Sequence, residues 1–191
     1  MAFGYLDDQG VISGSGLTRY NGRFKGDYKL TQWLKVGANF SYINSQSRYP
    51  AEQDANATAS SGNAFFVANN IAPVYPMYVR DTDKNIMLNN GRKVYDYGDG
   101  QSTKNSRSFM SIANPAGDLT YNKTEYLMDV INVNWFAEIN PIKGLNVSAR
   151  FGLNVDNTRY NDLGNAYMGQ SASYGGTAYQ AAMRTYGFDQ Q

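Results

Sequence analysis

The chain has 191 residues and a formal net charge of +1, and it contains neither Cys nor His. Without Cys there are no disulfides, thiolate-held zinc or iron–sulfur clusters, and no thiol catalysis; without His the commonest general base and transition-metal ligand are gone. Near-zero charge argues against a nucleic-acid partner, which calls for a basic excess, so carboxylate chemistry, a binding module, or a structural or membrane element remains.

Aromatic residues make up 14% of the chain and charged residues only 17%, below the usual quarter. Tyr-, Asn- and Gly-rich sequence with few charges suits an all-β protein, with Tyr in strands and Asn and Gly in turns. No apolar run reaches the ~18–20 residues of a membrane-spanning helix. A membrane β-barrel escapes that test, because its strands alternate lipid-facing and lumen-facing residues.

In chain order, residues 2–6 read as the tail of a strand. Residues 18–30 alternate, with Tyr20, Phe24, Tyr28 and Leu30 on one side and Arg19, Arg23, Lys25, Asp27 and Lys29 on the other. Residues 34–44 repeat the pattern: Leu34, Val36, Ala38, Phe40 and Tyr42 against Lys35, Gly37, Asn39 and Ser41, with Ile43 as the exception. Residues 45–122 form one very long connection. Within it, 55–70 is Ala-rich and suggests a short helix starting near Asn56 or Ser60. Residues 74–97 read as a hairpin with a polar, turn-forming centre around Asp81, Asp83, Asn89, Asn90 and Gly91, and Asn114-Pro115 reads as a turn. Residues 125–139 make a longer strand whose apolar face is broken by Asp129. Residues 145–156 alternate without a break, Leu145 to Val155 against Asn146 to Asp156. From residue 157 a second long, Gly/Tyr/Ser-rich stretch follows, in which residues 186–191 read as a strand beginning.

Tight turns at 30–34 and 140–144 alternate with long connections, which is the layout of an outer-membrane barrel with long extracellular loops. The expected fold is therefore all-β: a partial antiparallel transmembrane β-barrel of about five strands. A soluble β-sandwich also alternates, but a connection of this length inside a small sandwich is improbable. Five strands cannot close a membrane barrel, so the chain is expected to be a piece of a larger one.

The tyrosines of the long connections are the candidate ligand contacts: Tyr75, Tyr78, Tyr95 and Tyr97, with Tyr167, Tyr174 and Tyr179 behind them. A Tyr ring stacks on a sugar face and brings a hydroxyl at low entropic cost. Tyr28, Trp33 and Trp135, near the short-turn ends of strands, are expected in an interfacial aromatic girdle. The basic row Arg19, Arg23, Lys25 and Lys29 is expected to be structural, with Asp27 and Glu138 as local partners. The pairs Asp81/Asp83 and Asp96/Asp99 lack calcium-loop spacing and are expected to form turns. No catalytic residue, cofactor or metal site is expected.

The ordered motifs Gly4-Tyr5-Leu6 with Gly10, Arg19-Tyr20 with Arg23 and Asp27-Tyr28-Lys29, and Trp33 to Gly37 with Asn39, Ser41 and Tyr42 resemble the barrel of the SusC/RagA family of TonB-dependent outer-membrane transporters. The later Ala72-Pro73-Val74-Tyr75-Pro76, Asn114-Pro115, Pro141 to Leu145 and the closing Phe188-Asp189-Gln190-Gln191 follow the same family order. The resemblance implies a wall segment of a roughly 22-stranded, plugged barrel in the outer membrane of a bacterium, most often of the Bacteroidota. Such a transporter imports oligosaccharides or peptides, works with the TonB complex through its plug, and carries a SusD-like surface lipoprotein as a lid. Plug, TonB box and export signal are not visible in the sequence, so transport would belong to a parent protein. The implied surroundings are outer-membrane lipid and no nucleic acid. The other reading is a secreted soluble β-sandwich that binds carbohydrate.

Overall fold

The computed structural model describes residues 1–49, 64–100, 106–110, 113–167, 172 and 174–191. In chain order its elements are β1 (Ala2–Gln9), β2 (Gly16–Lys29), β3 (Leu34–Tyr49), α1 (Ala64–Asn70), β4 (Leu88–Asn89), β5 (Arg92–Lys93), α2 (Pro115–Tyr121), β6 (Lys123–Ile139), β7 (Val147–Gly164) and β8 (Thr177–Gln190). Six of the strands form one open antiparallel sheet in the order β1-β2-β3-β6-β7-β8. The fold is thus all-β, as its alternating segments require. Among the described residues no helix is long and apolar enough to cross a membrane.

The turns at one end are short. Leu30 N and Thr31 N both donate to Leu34 O, at 3.0 and 3.3 Å, and Asn140 N donates to Trp33 O at 2.7 Å, tying neighbouring turns together. In the β6–β7 turn Leu145 N bonds Ile142 O and Gly144 takes φ +89°, so β7 starts at Val147 and not at Leu145. A left-handed φ costs Gly nothing, which is why the turn carries one there.

The strands run further than the alternation shows. β3 reaches Tyr49, β7 reaches Gly164, and β8 is a sixth full strand where the sequence reads mostly as loop. In these extensions both faces are polar or small, as in Asn157-Thr158-Arg159-Tyr160-Asn161-Asp162, so period 2 leaves no hydropathy trace.

Register separates the two faces. Phe24, Phe40, Val133, Leu153 and Phe188 share one ladder row, and Gly26, Ala38, Trp135, Phe151 and Gln190 the next. On each of the three central strands five consecutive same-face residues are apolar: Leu34 to Tyr42, Ile139 to Ile131, and Val147 to Val155. Each run covers about nine residues, or about 27 Å along the strand. This band is not covered by protein among the described residues: Phe24 is 52%, Trp135 45% and Phe188 83% exposed. Beyond it the same face turns polar within one row, at Asn44, Asp129, Asn157 and Arg184. Asp129, which interrupts the pattern in sequence, is the first residue past the band; it accepts from Tyr42 Oη at 2.7 Å and Asn44 Nδ2 at 2.8 Å. The opposite face carries Ser41, Asn132 and Asn154 in one row and Lys25, Asn39 and Asn134 in another.

The buried core lies away from the sheet, in the connection between β3 and β6. Val67, Met110 and Ala113 pack together with Ile71 against them. The observed helix α1 begins at Ala64; Asn56 and Ser60 lie outside the described residues.

Candidate functional site

The β3–β6 connection folds into a module that holds the four tyrosines singled out in sequence. The two flanking segments pair as expected, Val79 N donating to Val94 O and Tyr78 bridging Tyr95, while Met87 from the centre folds between them, donating to Val79 O and accepting from Val94 N. Asn90 and Gly91 both take positive φ, 49° and 75°, the geometry of a two-residue Asn-Gly hairpin turn. Asp81 Oδ1 accepts from Asp83 N and Asn85 N, and Asp96 Oδ1 from Gly98 N, so these two acidic residues build turns.

Asn114 joins the hairpin to α2. Its Oδ1 accepts from Gly117 N as helix cap, and its Nδ2 donates to Met77 O and Asp96 O, both at 2.8 Å. Asn114-Pro115 therefore starts a helix, with Pro at the first helical position where no N–H is needed, and does not make the free-standing turn expected of it. Arg107 is 5% exposed and is held by main-chain carbonyls: Nε donates to Met110 O, and Nη2 donates to Met110 O and Ala113 O, each at 2.6 Å. Its guanidinium also lies 5.2 Å from the centre of the Tyr75 ring. Gly98, at φ +76°, gives it room: a Cβ there would sit 2.8 Å from the guanidinium carbon.

The four tyrosines do different things. Tyr75 is 37% exposed and faces a cavity of about 260 Å³ lined also by Pro73, Pro76, Met77, Asp96 and Arg107. Tyr78 and Tyr95 are half-buried, with ring centres 5.0 Å apart; Lys93 Nζ lies 5.1 Å from the Tyr78 ring, and Tyr95 meets Tyr121 edge-on. Partial desolvation, with Tyr95 beside it, pushes the Tyr78 hydroxyl pKa up. Tyr97 is 6% exposed and donates to Asp118 Oδ1 at 3.0 Å. It packs over Gly117, where a Cβ would come within 2.4 Å of its hydroxyl. Tyr97 is thus a core residue of the module and not a surface for ligand. Burial also raises Asp118 to about 6, against the hydrogen bonds that favour its charge, and raises Tyr97 far above the usual phenol value.

Tyr167 and Tyr174 are exposed, and Tyr179 lies within β8. Tyr179 ends a ladder that sequence reading missed. Tyr49, Tyr126, Tyr160 and Tyr179, from β3, β6, β7 and β8, touch in succession with ring centres 5.5, 4.6 and 5.8 Å apart. They cross the amide-rich face at the end where the module emerges. Parity alone assigns each to that face, but only the strand register brings them together.

Tyr28 and Trp33 are 69% and 49% exposed at the short-turn end; Trp135, expected in the same girdle, instead lies in the middle row of the apolar band, opposite Ala38 and stacked on Phe151 at 5.6 Å, because β6 runs to Ile139 before it turns. A second aromatic row closes the other side of the apolar band: Tyr42 and Tyr186 at its last row, Tyr5 and Tyr20 one row beyond, the latter pair 5.0 Å apart. Of the basic row, Asp27 is taken by Lys35 of β3 at 3.1 Å.

No protein-family profile matches the chain, and no curated protein matches it by sequence. Its fold is similar to that of a chain in the structure of the RagAB peptide importer in the "open-open" state, with TM-score 0.57 and 21% identity. The likeness covers 97% of this chain and 18% of that one, so the chain spans less than a fifth of its structural neighbour.

Proposed function

We propose that this chain is a wall segment of an outer-membrane importer of the TonB-dependent SusC/RagA type, its apolar face toward lipid and its amide-rich face toward the lumen. One observation carries the reading: an uncovered apolar band about nine residues tall on β3, β6 and β7, with Trp33 at one edge and Tyr28 one row inside it, and Tyr5, Tyr20, Tyr42 and Tyr186 along the other edge. A strand tilted by ~40° needs ~9–11 residues to cross the hydrocarbon, and aromatic girdles sit at both of its edges. A soluble sandwich would lay a second sheet on that band; the described residues supply none. The likeness to a peptide importer's chain supports the same reading. In it, the module between β3 and β6 is extracellular, and a glycan or peptide meets Tyr75, Tyr78, Tyr95 and the tyrosine ladder on its way in. A lid lipoprotein and the TonB machinery are partners of the parent transporter. The reading assigns no catalysis and no cofactor.

The test uses the two tryptophans. In a Trp33→Phe protein reconstituted in vesicles, lipids brominated along the acyl chain should quench Trp135 strongly. A water-soluble protein whose Trp135 escapes the bromines would instead be the carbohydrate-binding sandwich.

A further inference from the structure

We infer that Arg159 and Arg184 form a docking site on the outer wall for the phosphate-bearing headgroup of an outer-leaflet glycolipid. The inference rests on the reading that the apolar band faces lipid.

The two residues belong to the band's own face. Asn157 pairs with Arg184 and Arg159 with Ala182, in successive same-face rows of β7 and β8, so the arginines are diagonal neighbours. Such neighbours have Cα atoms ~7–8 Å apart, and Ala182 leaves the space between them open; Asp129, Asn157, Arg159, Ala182 and Arg184 bound one shallow depression. Their height fits a headgroup. Arg184 precedes the band residue Tyr186 by two positions on β8, and Arg159 follows Val155 by four on the antiparallel β7. At ~3.3 Å per residue and a tilt of ~40°, they stand about 5 and 10 Å past the apolar edge. The headgroup layer occupies about that depth outside the hydrocarbon.

Their charge is only partly met within the protein. Arg184 is exposed; Nε donates to Asn157 Oδ1, and Nη1 reaches Tyr186 Oη at 3.4 Å, both neutral partners that orient the fork without neutralising it. Arg159 is 56% exposed; Asp129 Oδ2 stands 3.9 Å from its Nη2, and Glu125, the other acidic residue beside it on this face, is taken by Lys123 at 2.9 Å. Arg159 and Arg184 face the single carboxylate of Asp129 around this depression, and two guanidiniums against one carboxylate leave a net positive site. A phosphate meets two planar forks with paired charge-assisted bonds. Charge complementarity and continuity with the lipid-facing band select a phosphorylated lipid over a soluble anion.

The test takes the full-length protein into phosphatidylcholine vesicles with and without diphosphorylated lipid A, and measures lipid A bound per protein. The wild type should bind lipid A, and Arg159→Gln/Arg184→Gln should bind roughly thirtyfold more weakly, at the usual contribution of a surface Arg to anionic-lipid binding. Arg159→Lys/Arg184→Lys should recover part of the binding, and Arg150→Gln, on the opposite face, should leave it unchanged. Equal binding by the double Gln variant overturns the site. So does displacement of the lipid by millimolar inorganic phosphate, which would make it a free-anion site, or by an acidic peptide, which would make it a protein-docking surface. Failure of every variant to enter vesicles of either composition overturns the wall reading itself, a result separate from these.

Discussion

Placing an arginine at Ala38 is the sharpest perturbation of the sheet. Ala38 is the middle of the five apolar residues on its face of β3, two rows from Leu34 at one edge and two from Tyr42 at the other, with Gly26 and Trp135 beside it. An Ala side chain loses little packing when replaced, so the change reports on what lies outside the sheet. At the centre of a lipid-facing strand an Arg costs ~2–4 kcal/mol, falling to ~0–1 near the interface. The face of Trp135 offsets this by about 1 kcal/mol at most. Ala38→Arg should therefore destabilise the protein by about 2–3 kcal/mol in reversible urea titrations from lipid vesicles. Ser41→Arg, on the amide-rich face of the same strand, should stay within about 0.5 kcal/mol, and Asn44→Arg, just past the band, below about 1 kcal/mol. Equal costs at Ala38 and Ser41, or a cost at Asn44 as large as at Ala38, would refute lipid on that face; the second pattern belongs to a protein core that extends over the whole strand.

Two further outcomes concern the module. Asp118 has a folded pKa of about 6 against an ordinary 3.8. Its contribution to stability is therefore fully present below pH ~4 and is lost as pH rises through 6, by up to about 3 kcal/mol at ~1.4 kcal/mol per pH unit. Asp118→Asn keeps an acceptor for Tyr97, so it should remove this loss and protect the module's amides more strongly than wild type at pH 7.5; exchange rates corrected for intrinsic pH dependence check it, and an unchanged pH slope would count against it. Gly117→Ala, which pushes a methyl into Tyr97, should destabilise the module by about 1–3 kcal/mol, read as lost protection of the Gly98 and Arg107 amides while the sheet amides stay protected.

Legibility followed chemistry. Residues 34–44 and 145–156 announce themselves because an uncovered apolar face and an amide face differ in every second residue. Past Asp156 that contrast disappears, so eight more residues of β7 and the part of β8 before Tyr186 read as loop; backbone pairing with a neighbour, not side-chain pattern, makes them strand. The hairpin of residues 74–97 is legible because its centre is rich in turn formers, though composition does not separate the left-handed Asn90-Gly91 turn from the turn that Asp81 builds. Asn114-Pro115 reads as a turn because turns and helix starts draw on the same residues. Tyr97 carries no mark that separates a buried tyrosine from an exposed one, and Arg107, satisfied by carbonyls alone, has no partner residue that sequence could reveal. The tyrosine ladder and the Arg159–Arg184 pair exist only once register is known.

β3 and β6 are hydrogen-bonded neighbours from Leu34↔Ile139 to Tyr49↔Thr124, although the whole module intervenes between them. The chain leaves the sheet and re-enters it one strand spacing away, ~4.8 Å, so the wall imposes on the module only that its two ends meet. Sequence drift, insertion or wholesale exchange of the module is then uncoupled from the integrity of the wall. A lineage could exchange this cassette, and with it whatever the module contacts, while the strands beneath are inherited untouched.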